Sequence, residues 1–269
     1  MIYTAGRRSA PFCVEKGYEV KKVPALLVRL KKLLFDETLT CAACGAELYG
    51  GSRFCPHCLQ TLPFNGGNIC AKCGRAAAEA VPACLECKAD MPAFRAARSA
   101  FRYEGEIVRL VKRFKTGGRH LAGAFAEAML PLFSREFADT DFLACVPMTE
   151  KALKKRGYNQ SALLAAELSA RTGVPFEAEL LVKTRETEAQ KTLPRRERAE
   201  NLGGSFRVHE RAKCRGKKIL LVDDVMTTGA TANALAAALL RAGARSVCLL
   251  TAASVPQAVR GGKEQGQRG

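Results

Sequence analysis

The stretch that decides the fold is Lys218-Ile219-Leu220-Leu221-Val222-Asp223-Asp224-Val225-Met226-Thr227-Thr228-Gly229-Ala230-Thr231. Lys218–Val222 reads as a buried strand, and two neighbouring carboxylates follow at its C-terminal end, where open α/β sheets bind ligands. The acids are expected on the strand end, outside the core. Thr227, Thr228, Gly229 and Thr231 then lead into an alanine-rich helix, Thr231–Arg241, closed by Gly243. Hydroxyls and backbone N–H groups at a helix N-terminus make an anion cradle, and Gly229 lets the backbone come close to a ligand. A plainer reading makes Thr231 the N-cap of a helix after a buried strand. That reading leaves two adjacent acids and three threonines without a purpose. No Gly-Lys-Ser/Thr follows, so the loop is not a Walker loop.

Outward from this stretch, strands and helices alternate. Ala97–Tyr103, Phe142–Val146 and Arg245–Thr251 read as strands, and Glu106–Phe114, His120–Phe137 and Asn159–Thr172 as helices. Such alternation predicts an α/β domain with a mostly parallel sheet covered on both faces, over residues 93–256. The polar run 184–203 fits no element.

Upstream, the spacing Cys-x2-Cys-x10-Cys-x2-Cys occurs twice, at Cys41, Cys44, Cys55, Cys58 and at Cys70, Cys73, Cys84, Cys87, with a constant offset of 29 residues. This is an internal duplication. Four thiolates close a tetrahedral shell with no open position, which is structural zinc, so residues 37–92 are expected to hold two zinc ions. Sequential ribbons are the simplest pairing and a cross-braced one is the other. His57 is a substitute ligand that four cysteines make unnecessary, and iron–sulfur is a minor alternative. Cys13, Cys145, Cys214 and Cys248 stand alone and are read as buried or inert. Residues 24–36 carry Leu26, Leu27, Leu30, Leu33 and Leu34 at helical spacing opposite Arg29, Lys31 and Lys32, an amphipathic helix expected to pack on the next domain. Residues 1–23 read as an N-terminal extension and 257–269 as a disordered tail.

The chain has 269 residues, of which 48% are hydrophobic and 26% charged, an ordinary globular composition. No apolar run reaches the ~18 residues of a membrane span. Nothing at the N-terminus looks like a secretion signal, so twelve cysteines point to metal ligands in a reducing cytoplasm. The formal charge is +17, and residues 36–92 alone are net negative, at −2. Two metallated four-thiolate sites bring the whole to about +13. The basic excess therefore lies outside the cysteine region and favours an anionic partner, nucleic acid or phosphate. Three clusters stand out: Lys112, Arg113 and Lys115; Lys151, Lys154, Lys155 and Arg156; and Arg195, Arg196 and Arg198. Convergence on the C-terminal rim of the sheet would suit a polyanion. Phe114, Tyr158 and Phe206 are too scattered for a base-stacking platform.

The Asp223–Thr231 run resembles the 5-phosphoribosyl 1-pyrophosphate motif of type I phosphoribosyltransferases. Two further stretches narrow the likeness. Val146-Pro147-Met148 with Arg156-Gly157-Tyr158-Asn159-Gln160, and Thr184-Arg185 with Gln190, Leu193, Arg198, Asn201 and Phe206, resemble signatures of the ComF family. Helix, cysteine ribbon and phosphoribosyltransferase-like domain also follow in that family's order, over roughly residues 24–255. The resemblance implies that Asp223, Asp224, Val225, Met226, Thr227, Thr228, Gly229, Ala230 and Thr231 bind phosphoribosyl pyrophosphate, or a similar phosphorylated ribose, with Mg²⁺. The acids would take the ribose hydroxyls, and Thr227–Thr231 the 5′-phosphate. Lys112, Pro147, Lys155, Arg156, Asn159 and Gln160 are the candidates for pyrophosphate or DNA contacts. The family likeness further implies a cytoplasmic protein handling single-stranded DNA in competence, with competence machinery as further partners. An active phosphoribosyltransferase in nucleotide metabolism or salvage is the alternative.

Overall fold

The computed structural model describes residues 40–184 and 205–257. The extension 1–23, the amphipathic segment 24–36, the third basic cluster and the tail from 258 lie outside them, as does most of the polar run 184–203.

Four strands form one parallel sheet: β1 (Ala97–Arg102), β2 (Phe142–Cys145), β5 (Lys218–Met226) and β6 (Ser246–Ser254), in the order β1-β6-β5-β2. Along β5, Leu220 and Val222 enter one core and Ile219 and Leu221 another. That period of two, apolar on both faces, is the signature of a parallel sheet covered twice. Helix α3 (Gly105–Lys115) buries Ile107, Leu110, Val111 and Phe114, spaced as one helical face. It shares the first core with α4 (Leu121–Glu136) and α6 (Gln160–Thr172), and α8 (Ala230–Arg241) covers the other face. Beside the sheet, β3 (Leu181–Lys183) and β4 (Phe206–Val208) pair antiparallel, and the one-turn α7 (Arg211–Cys214) follows. Short helices α1 (Pro56–Thr61) and α2 (Leu85–Ala89) belong to the cysteine repeats.

Two expectations are corrected, and one element is added. The strand expected to stop at Val222 continues to Met226, so both acids lie within β5, and Asp224 is buried at 8% exposure. Its neighbour β6 likewise runs to Ser254, and the added register pairs Asp223 with Thr251 and Met226 with Ser254. Second, the N-cap of the last helix is Gly229, at φ 78°, and not Thr231. The added element is formed by the basic residues after β2, which make a helix of their own, α5 (Glu150–Arg156). Thr149 Oγ1 accepts from the Ala152 N–H at its start, and Gly157 turns left-handed at its end. The lone cysteines Cys145, Cys214 and Cys248 are buried, and Cys13 lies outside the described residues.

Candidate functional site

At the end of β5 the two acids have different partners. Ser161 Oγ, in the first turn of α6, donates to Asp223 Oδ1 at 2.7 Å, and the Asp224 N–H donates to the same oxygen at 2.9 Å. Asp224 Oδ1 accepts the Val225 N–H at 2.7 Å, and its other oxygen lies 3.1 Å from Lys115 Nζ at the end of α3. Burial, with the Asp224 charge second, pushes the Asp223 carboxyl up to about 7; the Ser161 hydrogen bond opposes the shift. Beyond the pair, Thr227 is exposed and Thr228 Oγ1 accepts from the Ala230 N–H at 3.4 Å. The first N–H groups of α8, at Ala230 and Thr231, thus sit just after the acids, with Val225 and Met226 completing the strand. Hydroxyl side chains, a helix N-terminus and paired carboxylates in this order suit a ligand with both an anionic group and vicinal hydroxyls.

The stretch Arg156–Gln160 is chiefly a joint. Asn159 Oδ1 caps α6 by accepting from the Ser161 and Ala162 N–H groups, while its Nδ2 donates to the Val146 carbonyl at 3.0 Å, beside Pro147. Arg156 donates to Gln160 Oε1 at 2.9 Å, and Gln160 is buried. The buried Tyr158 hydroxyl donates to the Phe114 carbonyl and accepts from the Gly117 N–H. Arg119 donates to the Gly157 carbonyl at 2.8 Å and lies over the Tyr158 ring. These contacts bring the ends of α3 and α5, two of the three basic clusters, to one rim beside the acid pair. Lys155 and Arg156 are exposed there. Lys112 is exposed on α3, and it is Lys115 that reaches the acids. Sequence reasoning missed Ser161 as a partner, because nothing in the chain links it to a residue 62 positions away.

The eight cysteines gather as two sets, Cys41, Cys44, Cys55, Cys58 and Cys70, Cys73, Cys84, Cys87, with all sulfurs of a set within 4.8 Å of one another. The pairing is sequential and not cross-braced, and His57 stays exposed outside the first set. Tetrahedral zinc with Zn–S of about 2.3 Å requires sulfurs about 3.8 Å apart. Cys44 and Cys55 Sγ are 3.7 Å apart, and Cys73 and Cys84 Sγ 3.9 Å. Backbone N–H groups donate to the sulfurs, Cys55 to Cys41 and, 29 residues on, Cys84 to Cys70. Such bonds stabilise thiolates. The residues fit zinc twice, and all but the exposed Cys44 are buried.

Residues 155–263 match the family model described as a phosphoribosyl transferase domain, and residues 30–92 the model described as a double zinc ribbon domain. "DNA utilization protein YhgH" of Salmonella typhimurium is 31% identical over 67% of this chain and 81% of its own. "Competence protein ComFC" of Bacillus subtilis is 30% identical over 71% and 79%. The chain belongs to the ComF family. "Competence protein F" of Haemophilus influenzae, at 24% identity over 77% and 93%, is a more distant relative. Among solved structures, a purine phosphoribosyltransferase from Pyrococcus horikoshii Ot3 aligns over 49% of this chain and 72% of its own, at 18% identity and a TM-score of 0.32. The ComF architecture here is a phosphoribosyltransferase-type parallel sheet preceded by a double zinc ribbon. Among the described residues no helix is long and apolar enough to cross a membrane.

Proposed function

We propose that this ComF protein binds phosphoribosyl pyrophosphate, or a closely related phosphorylated ribose, at Asp223–Thr231 and holds single-stranded DNA on the neighbouring basic rim. The observation that carries the reading is the acid pair held by Ser161 and Lys115 at the mouth of the Thr227–Thr231 loop. Asp223 and Asp224 would accept the ribose hydroxyls, and the loop N–H and hydroxyl groups would hold the 5′-phosphate. Mg²⁺ bound with the pyrophosphate would supply charge neutralisation there. Lys115, released from Asp224 by the sugar, would then face pyrophosphate oxygens. The printed names of the relatives, competence and DNA utilization, support DNA handling as the setting, and cysteine usage supports a cytoplasmic one.

Because both acids lie inside β5, the test uses Asp223→Asn with Asp224→Asn, which keeps shape and packing. Calorimetry with phosphoribosyl pyrophosphate and Mg²⁺ is expected to show binding by the parent and at least a tenfold weaker signal in the double variant, with zinc content unchanged. Equal binding by both would overturn the assignment. Release of pyrophosphate with one base from a panel would move the reading to an active phosphoribosyltransferase.

A further inference from the structure

The duplicated ribbons are unequally sealed. In the second, Arg75 is 5% exposed, its guanidinium is paired with Glu86 at 2.5 Å, and it also reaches the Cys73 sulfur. Twenty-nine residues earlier the matching positions are Ala46 and His57, both exposed, so the first ribbon has no counterpart of this pair. The glycine after each knuckle repeats the contrast. A Cβ on Gly74 would stand 2.1 Å from the Ala97 carbonyl oxygen, whereas one on Gly45 would meet nothing within 4 Å. The second knuckle is thus pressed against β1, and the first is open. Beside it lies a cavity of about 250 Å³ lined by Cys41, Cys44, Arg53, Arg113 and His120. Arg53 and Arg113 form no ion pair among the described residues, and they line the same cavity as Cys44, the one exposed ligand cysteine.

We propose that Cys44 is a modification site, at which a small anionic disulfide oxidises the first ribbon and leaves the second intact. A zinc-bound cysteine is held as a thiolate, and Cys44 is the ligand sulfur whose residue is open to an approaching disulfide, whereas the other seven are buried. The Cys44 thiolate attacks one sulfur of the disulfide. That S–S bond breaks, a mixed disulfide forms on Cys44, and the first thiolate leaves and takes a proton from water. Cys55, whose sulfur is 3.7 Å away, then attacks the Cys44 sulfur and expels the second thiolate, which is also protonated. Two protein thiolates are oxidised and one small disulfide is reduced to two thiols. With two of its four ligands in a disulfide, the first ribbon no longer holds zinc.

The test treats the zinc-loaded full chain with glutathione disulfide, following metal with a chromogenic chelator and adducts by peptide mass spectrometry. One equivalent of zinc is expected to leave at least tenfold faster than the other, with the first adduct on Cys44 and a Cys44–Cys55 disulfide after it. Arg75→Ala should speed loss of the second zinc about 10–100-fold, the usual effect of removing an outer partner. Ala46→Arg with His57→Glu, which builds the seal into the first ribbon, should slow loss of the first. Equal release rates in the parent, or a first adduct on any other cysteine, would overturn the proposal.

Discussion

Asp223 carries the clearest consequence of burial for a single side chain. Its carboxyl titrates near 7 in the folded protein and near 3.9 in an unfolded chain. Between these values the folded state binds the extra proton, so stability falls as pH rises from about 4 through 7. Asp223→Asn removes this dependence while keeping an oxygen that accepts from Ser161. The variant should therefore be more stable than the parent at pH 8, by on the order of 2 kcal/mol. The advantage should vanish by pH 4, as read from thermal melts across pH; a gap independent of pH would contradict the charged, buried assignment. The paired glycines offer a second residue-scale test. Gly45 and Gly74 both have positive φ, at 77° and 67°, so alanine costs about 1–2 kcal/mol at either. Only at Gly74 does the new Cβ also strike the backbone of β1. Gly74→Ala should lower the melting temperature well beyond Gly45→Ala, and equal losses would mean that the second ribbon does not bear on the sheet.

Elements were legible where the apolar pattern is strong, and some of their ends were not. The unbroken apolar run Ile219–Val222 marked β5 as a buried strand, and α3 was read over Glu106–Phe114, within a residue of its observed ends. The extension of β5 through Asp223 and Asp224 was hidden, because acids rarely occupy a strand interior and only pairing with β6 keeps them there. Helix α5 was hidden for another reason: its seven residues bury nothing, so no apolar face marks it. Thr149 and Gly157 at its ends were the available signal. The acid pair and its loop stand next to each other in the chain and drew the candidate assignment, whereas the contacts of Ser161 and Lys115 with the acids came only from the topology that folds α6 and α3 against β5. The same helix α5 carries the DNA prediction. Lys151, Lys154, Lys155 and Arg156 are all exposed along it. Each phosphate contact with a single strand contributes about −0.7 to the log–log salt slope. Neutralising all four should flatten the slope by up to about 3 units, measured by anisotropy at several salt concentrations. An unchanged slope would move DNA away from this rim.

For the whole molecule, each ribbon is continuous with a different core. Cys41, Phe54, Cys55, Cys58 and Leu62 share the cluster that contains Phe101, Phe114 and Phe125. All four cysteines of the second ribbon join Phe94, Leu221, Leu235 and Leu249 on the other face. Phe54 meets Phe101 edge-on at 6.1 Å, Ser52 and the Arg53 N–H both donate to Glu127 on α4, and the Ala97 N–H of β1 donates to the Lys72 carbonyl. The ribbons are therefore part of the packing of both faces of the sheet, and the zinc that folds them also sustains that packing. A ribbon this small has too little core to fold without its metal. Stripping both ions should consequently weaken the sheet as well as unfold the knuckles. Exposing Phe54, Phe94 and their neighbours costs several kcal/mol at about 1.5–3 kcal/mol per large apolar side chain. In a chain of this size each kcal/mol shifts the midpoint by roughly 2–4 °C, so the far-ultraviolet melting transition should fall by about 10 °C or more in the metal-free protein and recover on adding zinc. A metal-free chain whose helices and sheet melt at the parent's temperature would mean that the ribbons ride on the sheet without supporting it.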